Sequence, residues 1–392
     1  MKICIINNLY PPFARGGAEQ VVKKTIDNLL TRGHRVVLIT STPQGEYTEK
    51  KENLKIYRIK QKNIFYYTEA HKYNIIFRFI WHIIDIFNIS IKNKVKSILI
   101  KENPDVVHTH NLMGLSFLLP RMIKKMYFRY IHTVHDVQLV EPSGIILKIK
   151  EKSWRYTGVA TKIYIYIIRK LFISPEVVIS PSTFLLDFYK SRGFFSKSKF
   201  ALLRNPITVD FEVKEKKDDK KINFLYLGQI EDHKGIFLLL EAFSKLEKNI
   251  QEKVNLYVAG TGSKIEDLKN KFSGKNIFIL GKIKRGELAE LFSKIDMMIV
   301  PSLCYENSPT VIFESLYAKI PVLASNIEGI AELIEEGENG ITFEAGNKDS
   351  LQEKIIYCVK NIDKIKEMRK KVFNILEEDS DYTSKLEELY KE

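Results

Sequence analysis

Residues 296–325 read DMMIVPSLCYENSPTVIFESLYAKIPVLAS: an apolar run, a polar loop, an amphipathic stretch and a second apolar run. The first run, DMMIVPS, and the last, PVLAS, are short and continuously apolar, as strands buried on both faces of a parallel sheet are. Between them Ser308 can cap a helix and Pro309 can take its first turn, which places Glu314 about two turns along that helix. Glu306 then stands just past a strand end, and Glu314 on an otherwise apolar helix. Strand, loop, helix and strand in succession are the unit of a doubly wound α/β fold, whose ligands sit beyond the carboxyl ends of the strands.

The same pattern extends in both directions. In the first half the apolar runs are KICIIN, RVVLIT, LKIYRI, DVVHTH, RYIHTVH, VVIS and FALLRN. Between the first two, Val21, Val22, Ile26, Leu29 and Leu30 mark one face of a helix that Gly33 stops. Residues 209–224 are dense in charge and lack apolar periodicity. After them the alternation restarts with INFLYLG, VNLYVAG, NIFILG and DMMIVPS. Two parallel-sheet, Rossmann-like domains joined near Asn205-Pro206 are expected, residues 1–205 and 206–372, followed by a charged helical end over 373–392.

The 392 residues are 45% apolar and 28% charged, with a net charge of +14 that favours anionic partners without choosing among them. Cys4, Cys304 and Cys358 are too scattered for a disulfide framework and read as reduced thiols. The opening MKICIINN runs directly into a strand, so a cytoplasmic location is expected. No apolar run reaches the length of a spanning helix. Two segments, 64–100 and 145–173, interleave Lys and Arg with Phe, Tyr, Trp and Ile on helical patterns. They can lie peripherally on an anionic membrane, or pack on their own domain with a solvated basic side. They read as helices rather than as an exposed stacking platform, so no nucleic-acid partner is expected.

Several strand ends carry candidate ligand groups. Gly16 and Gly17 stand at a helix start, which serves equally as an anion site or a tight turn. His135 ends the RYIHTVH strand, beside Asp136, as a polar contact for a substrate or as a structural histidine; His108 and His110 raise the same choice. Lys234 precedes a helix where its ammonium and the helix start can both meet a phosphate. Gly260, Gly262 and Gly281 follow successive strands and imply close backbone approach to an extended ligand, or ordinary helix-entry turns. Ser308, Pro309, Thr310 and Val311 offer a further helix start suited to a phosphate. Glu306 and Glu314 would repel that phosphate, so they must accept hydrogen bonds from other groups, for which sugar hydroxyls are suitable. A sugar and a ribose flanking a diphosphate match two acidic acceptors flanking an amide cradle. No spacing of ligand residues supports a metal, and the Asp379-Ser380-Asp381 pair lies in an acidic connector far from these strand ends.

Taken in order, PPFARGGAEQ, PDVVHTHN, HTVHD, VISPS, RNPITVD, GQIEDHKG, VAGTG and the E-x7-E of Glu306 and Glu314 resemble the retaining GT-B glycosyltransferases of the family 4 type. The resemblance covers nearly the whole chain. It implies two Rossmann-like domains facing across a cleft, with the nucleotide-sugar donor mainly on the second and a glycan or lipid-linked acceptor mainly on the first. It also implies that the end helix, 373–392, returns to the first domain. Carried over, Glu306 contacts the donor sugar, Glu314 the ribose, and Lys234 the diphosphate, helped by Ser308 to Val311 and by Gly16-Gly17. His135 reaches the donor sugar. Transfer without a metal or other cofactor, and attack on the face the diphosphate leaves, are the implied chemistry. One departure is Gln229, where the pattern usually has an arginine; Arg15 or Arg204 could supply the missing charge. Other GT-B chemistry, an epimerase or a phosphorylase, and a catalytically weak nucleotide-sugar-binding protein are the alternatives.

Overall fold

The computed structural model describes residues 1–14, 16–209, 211–212, 221–272, 276–372 and 381–392. They fall into two compact units: residues 1–144, 153–206 and 381–392 in one, and 145–152 with 207–380 in the other.

The first unit is built on an eight-stranded sheet: β1 (Lys2–Ile6), β2 (Arg35–Thr42), β3 (Tyr47–Lys51), β4 (Leu54–Lys60), β5 (Val106–Thr109), β6 (Arg129–Thr133), β7 (Val177–Ser180) and β8 (Lys199–Leu202). Its spatial order is β3-β4-β2-β1-β5-β6-β7-β8, parallel throughout except for β3, which runs antiparallel to β4 at the edge. Ile3, Ile5, Val36 and Leu38 of the central strands bury one side chain set against Val22, Ile26 and Leu29 of the helix Gly17–Thr31. Tyr382, Leu386, Leu389 and Tyr390 of the end helix Tyr382–Lys391 join the same core, and the Tyr382 hydroxyl lies 3.0 Å from Thr25 Oγ1. Residues 373–380, the start of the segment read as the end helix, lie outside the described residues.

The second unit has a six-stranded, fully parallel sheet: β9 (Ile222–Leu227), β10 (Val254–Ala259), β11 (Ile277–Gly281), β12 (Met297–Val300), β13 (Val322–Ser325) and β14 (Gly340–Phe343), in the order β11-β10-β9-β12-β13-β14. Its inner strands are buried on both faces, while the edge strand β11 exposes Phe278 and Leu280. Phe224, Tyr226, Met297, Ile299 and Leu323 enter one core, while their neighbours Leu225, Met298, Val300, Val322 and Ala324 enter the other. That is why DMMIV and PVLAS are continuously apolar instead of alternating. Register is set across the centre, with Phe224 opposite Met297 and Leu225 opposite Met298.

Residues 145–152 differ from the helical reading of 145–173. Leu147 forms an antiparallel bridge to Cys304, Lys148–Lys150 make one 3-10 turn, and α-helix begins only at Trp154–Thr157 and Val159–Phe172. The Ile75–Ile86 helix is fixed by Trp81, whose Nε1 donates to the Phe65 carbonyl at 2.8 Å, and by Asp85, both of whose carboxylate oxygens accept from Gly114 N–H at 2.9 Å.

Burial pushes Asp85 from an ordinary 3.8 up to about 7, against the Gly114 hydrogen bond. Across that window the unfolded chain releases a proton that the folded chain keeps, so stability falls as pH rises from about 4 to about 7. Asp85→Asn should flatten this slope, measured as urea midpoints across the window. An unchanged slope would mean that Asp85 does not titrate there.

Candidate active site

In the second sheet the chain moves from β9 outward through β10 and β11, then returns to the other side of β9 for β12 to β14. The connections leaving β9 and β12 diverge and open a crevice at their carboxyl ends. Lys234 closes the short 3-10 turn Asp232–Lys234 after β9, and Glu306 lies in the loop after β12. The Lys234 ammonium donates to Glu306 Oε1 at 2.5 Å, and Ser302 Oγ donates to the same oxygen at 2.9 Å. Burial works against the ammonium, yet the Glu306 carboxylate outweighs it and holds Lys234 above the usual lysine range.

Backbone packing fixes this pair. A Cβ on Gly235, at φ +72°, would stand 1.8 Å from the Pro301 carbonyl oxygen, so the β9 loop can rest on the β12 loop only through glycine. A Cβ on Gly329 would come within 2.3 Å of the carbonyl oxygens of both Glu306 and Asn307. Residues 145–152 hold the segment just before Glu306: Lys148 N–H donates to the Leu303 carbonyl and Tyr305 N–H to the Ile146 carbonyl, each at 2.9 Å. The Tyr305 hydroxyl donates to Glu151, and Lys148 pairs with Glu328.

Glu314 lies on the helix Thr310–Tyr317. Pro309, with extended backbone, occupies the capping position that the sequence assigns to Ser308, and no side chain caps the helix. Glu314 is therefore about one turn in, not two. Ser308 is buried and Pro309, Thr310 and Val311 are half-buried at this start, where the first N–H groups have no acceptor within the helix. Glu314 accepts from Thr208 Oγ1 at 2.7 Å, and Arg285 donates to the Thr208 carbonyl at 2.7 Å. Burial raises the Glu314 pKa; Thr208 and Arg285 oppose the rise.

Two of the glycines singled out in the sequence lie against backbone of the neighbouring loop. The space a Cβ would take at Gly260 is filled by the Gly228 carbonyl oxygen, 1.7 Å away, and at Gly262 by that of Ile230, at 2.3 Å. These glycines let the loops after β9 and β10 lie on each other. Gly281, at φ +69°, has nothing within 4 Å of a Cβ position and is set by its backbone alone. Gln229 receives the Tyr226 hydroxyl and the Glu231 N–H on its carbonyl. Of the cations invoked to replace its missing charge, Arg15 lies outside the described residues and Arg204 belongs to the first unit. The second unit supplies Arg285 beside Glu314.

In the first unit, the Gly16 N–H donates to Glu19 Oε2 at 2.7 Å, closing the helix start on a carboxylate rather than leaving that amide open to an anion. His135 Nε2 lies 2.8 Å from His110 Nδ1, so the two rings share a hydrogen bond. Burial lowers His135 to about 4, and His110 well below its ordinary range, so both are neutral near pH 7. His108 is a core histidine, between the Tyr390 hydroxyl at 2.8 Å and Thr133 Oγ1 at 2.7 Å. Asp136 accepts from Gln138 N–H, and burial lifts its pKa to about 6. Of the acidic pair at the chain end, Asp379 and Ser380 lie outside the described residues, and Asp381 flanks the end helix. Thr208, Ser302, Arg285 and Gly329 are the site residues that spacing did not single out. Thr208 sits inside RNPITVD, a stretch already conspicuous in the sequence, and Arg285 lies four residues after Gly281.

Comparison with known proteins bears on the family and the fold. The Glycosyltransferase Family 4 profile matches residues 15–211 and the Glycosyl transferases group 1 profile residues 209–374. An uncharacterized 42.6 kDa protein in the cps region of Klebsiella pneumoniae is 26% identical over 85% of this chain and 87% of its own length. A Campylobacter jejuni alpha-1,4-N-acetyl-D-galactosaminyltransferase, named for a diNAcBac-PP-undecaprenol-linked glycan, is 27% identical over 39% of this chain and 43% of its own. The fold is also that of Anabaena HepE, solved in complex with UDP, with a TM-score of 0.71 at 13% identity over 99% of both chains. With profiles spanning residues 15 to 374 and two parallel-sheet units of GT-B type, the chain belongs to the glycosyltransferases of Family 4 and group 1.

Proposed function

We propose that this glycosyltransferase moves a sugar from a nucleotide-sugar to a glycan or lipid-linked acceptor, with retention and without a metal, in the synthesis of a surface polysaccharide or glycoconjugate at the inner face of the cell membrane. The observation that carries the reading is the Lys234–Glu306 pair in the crevice between β9 and β12. An ammonium held charged beside a helix start suits a diphosphate, and a carboxylate next to it suits the hydroxyls of the sugar beyond. Glu314 serves the ribose, Ser308 to Val311 the phosphates, and Gln229, Gly260 and Gly281 the remaining donor contacts. The relative from Campylobacter, with its undecaprenol-linked glycan, supports the acceptor class, and UDP bound to HepE supports the donor class.

In the proposed step the bond from the anomeric carbon to the diphosphate breaks while the acceptor oxygen bonds to the same face. The acceptor's proton passes to the departing diphosphate oxygen. No side chain need act as nucleophile, so rate comes from positioning and from cationic stabilisation of the leaving group. A neutral His135 contributes hydrogen bonding to the sugar, not charge.

Lys234→Ala should lower turnover by more than ~10-fold, the scale of a lost charge-assisted contact, measured as nucleoside diphosphate release with acceptor present. Near-normal turnover would remove Lys234 from the mechanism. Glu314→Gln should raise the donor KM about tenfold with a smaller change in kcat, as the loss of one charged hydrogen bond does. A fall in kcat alone, with KM unchanged, would place Glu314 outside donor binding. Retention is read directly by proton NMR of the product at early times: the axial or equatorial anomer of the donor should persist, and inversion would overturn the proposed step.

A further inference from the structure

The Ile75–Ile86 helix of the first unit buries Trp81, Asp85 and Ile86 and turns most of its other apolar side chains outward. Trp81 and Asp85, one turn apart, are buried and hydrogen-bonded on the inner side. Ile76, Phe79, Ile80, Ile83 and Phe87 follow the i, i+3, i+4, i+7, i+11 spacing of a single opposite face, and all are exposed. Ile75 and Phe79 are 76% and 65% exposed. A second helix, Val159–Phe172, repeats the arrangement with Val159, Ile163 and Tyr166 at i, i+4 and i+7, preceded by Trp154 at 82% exposure. Tyr164 of this second helix donates to the Gln138 carbonyl at 3.0 Å, the Gln138 amide reaches Met113, and the next residue, Gly114, donates to Asp85, which puts both helices on one flank of the unit. Scattered exposed apolar residues are ordinary; two adjacent helices presenting such faces are not.

The rim of this flank is cationic. Residues 153–172 include Arg155, which pairs with Glu141, and Lys162, Arg169 and Lys170, with no Asp or Glu among them. On the first helix Arg78 is exposed and the one acid, Asp85, is buried; Lys72, just before the helix, is paired with Glu69. Among the described residues no helix is long and apolar enough to cross a membrane. We propose that this flank is a membrane-docking surface, with the Ile75–Ile86 helix lying in the interface of an anionic bilayer and its basic surround meeting the lipid phosphates. A second copy of the chain is the poorer occupant, because pairing the faces would oppose two cationic rims.

The test is flotation of the full chain with vesicles of phosphatidylglycerol and phosphatidylethanolamine, against vesicles of phosphatidylcholine alone. The chain has two tryptophans, Trp81 at 2% exposure and Trp154 on the flank, so brominated acyl chains report insertion directly. Binding to the anionic vesicles, salt-sensitive and stronger than to phosphatidylcholine, is expected, with quenching that Trp154→Phe abolishes. The double variant Phe79→Ser, Ile83→Ser changes exposed side chains only; it should keep the melting temperature and lose at least ~10-fold in vesicle binding. Equal flotation of the variant overturns the proposal. So does a wild-type chain that ignores vesicles and elutes as a dimer that the same variant dissociates.

Discussion

The second unit depends on one constraint: a lysine and a glutamate from two separate loops must meet where the sheet reverses its direction of growth. The order β11-β10-β9-β12-β13-β14 creates that point, since β9 and β12 are neighbours whose connections leave in opposite senses. The ion pair of Lys234 and Glu306 spans it. About a quarter of the lysine side chain still meets solvent. The pair is thus neither a deeply buried structural bridge nor a loose surface contact. It keeps a cation charged and aimed into a crevice while leaving it reachable, which is the condition for handling an anionic leaving group.

Much of the rest of the unit maintains that meeting. Gly235 and Gly329 are small because carbonyl oxygens occupy the space beside them, and residues 145–152 pair with the segment leading to Glu306. The 145–152 strap belongs by sequence to the first half of the chain and by contact to the second unit. Thr208, just past the connection between the units, holds Glu314. Residues 145–152 and Thr208, each just past a crossing of the chain between units, therefore help to fix an acidic side chain of the site. A substitution in either segment would act on the site through geometry without touching a ligand.

The sheets were legible because a strand covered on both faces leaves a continuous apolar run, as DMMIV and INFLYL do. The edge strand β3, YTEKK, is charged and mostly exposed, so nothing in its pattern separates it from a loop. β14, with only four residues beginning at Gly340, was equally silent. At the site, Lys234, Glu306 and Glu314 could be placed because each stands at a fixed offset from a strand end. Thr208 and Arg285 could not, since their relation to Glu314 exists only after β11 and β12 have brought distant segments together. The Gly16-Gly17 pair left an anion site and a tight turn equally open, and in the structure the Gly16 amide donates to the Glu19 carboxylate three residues on. The glycines after β10 were noticed for close approach, and the backbone that approaches them is the loop after β9.

A crystal structure with an intact nucleotide-sugar bears most directly on the claim that this crevice is the donor site. The account predicts the diphosphate within hydrogen-bonding distance of the Lys234 ammonium and of the N–H groups at the start of the Thr310–Tyr317 helix, with sugar hydroxyls on Glu306 and ribose hydroxyls on Glu314. A donor bound elsewhere, with Lys234 and Glu306 still closed on each other and Glu314 still held by Thr208 alone, would contradict it.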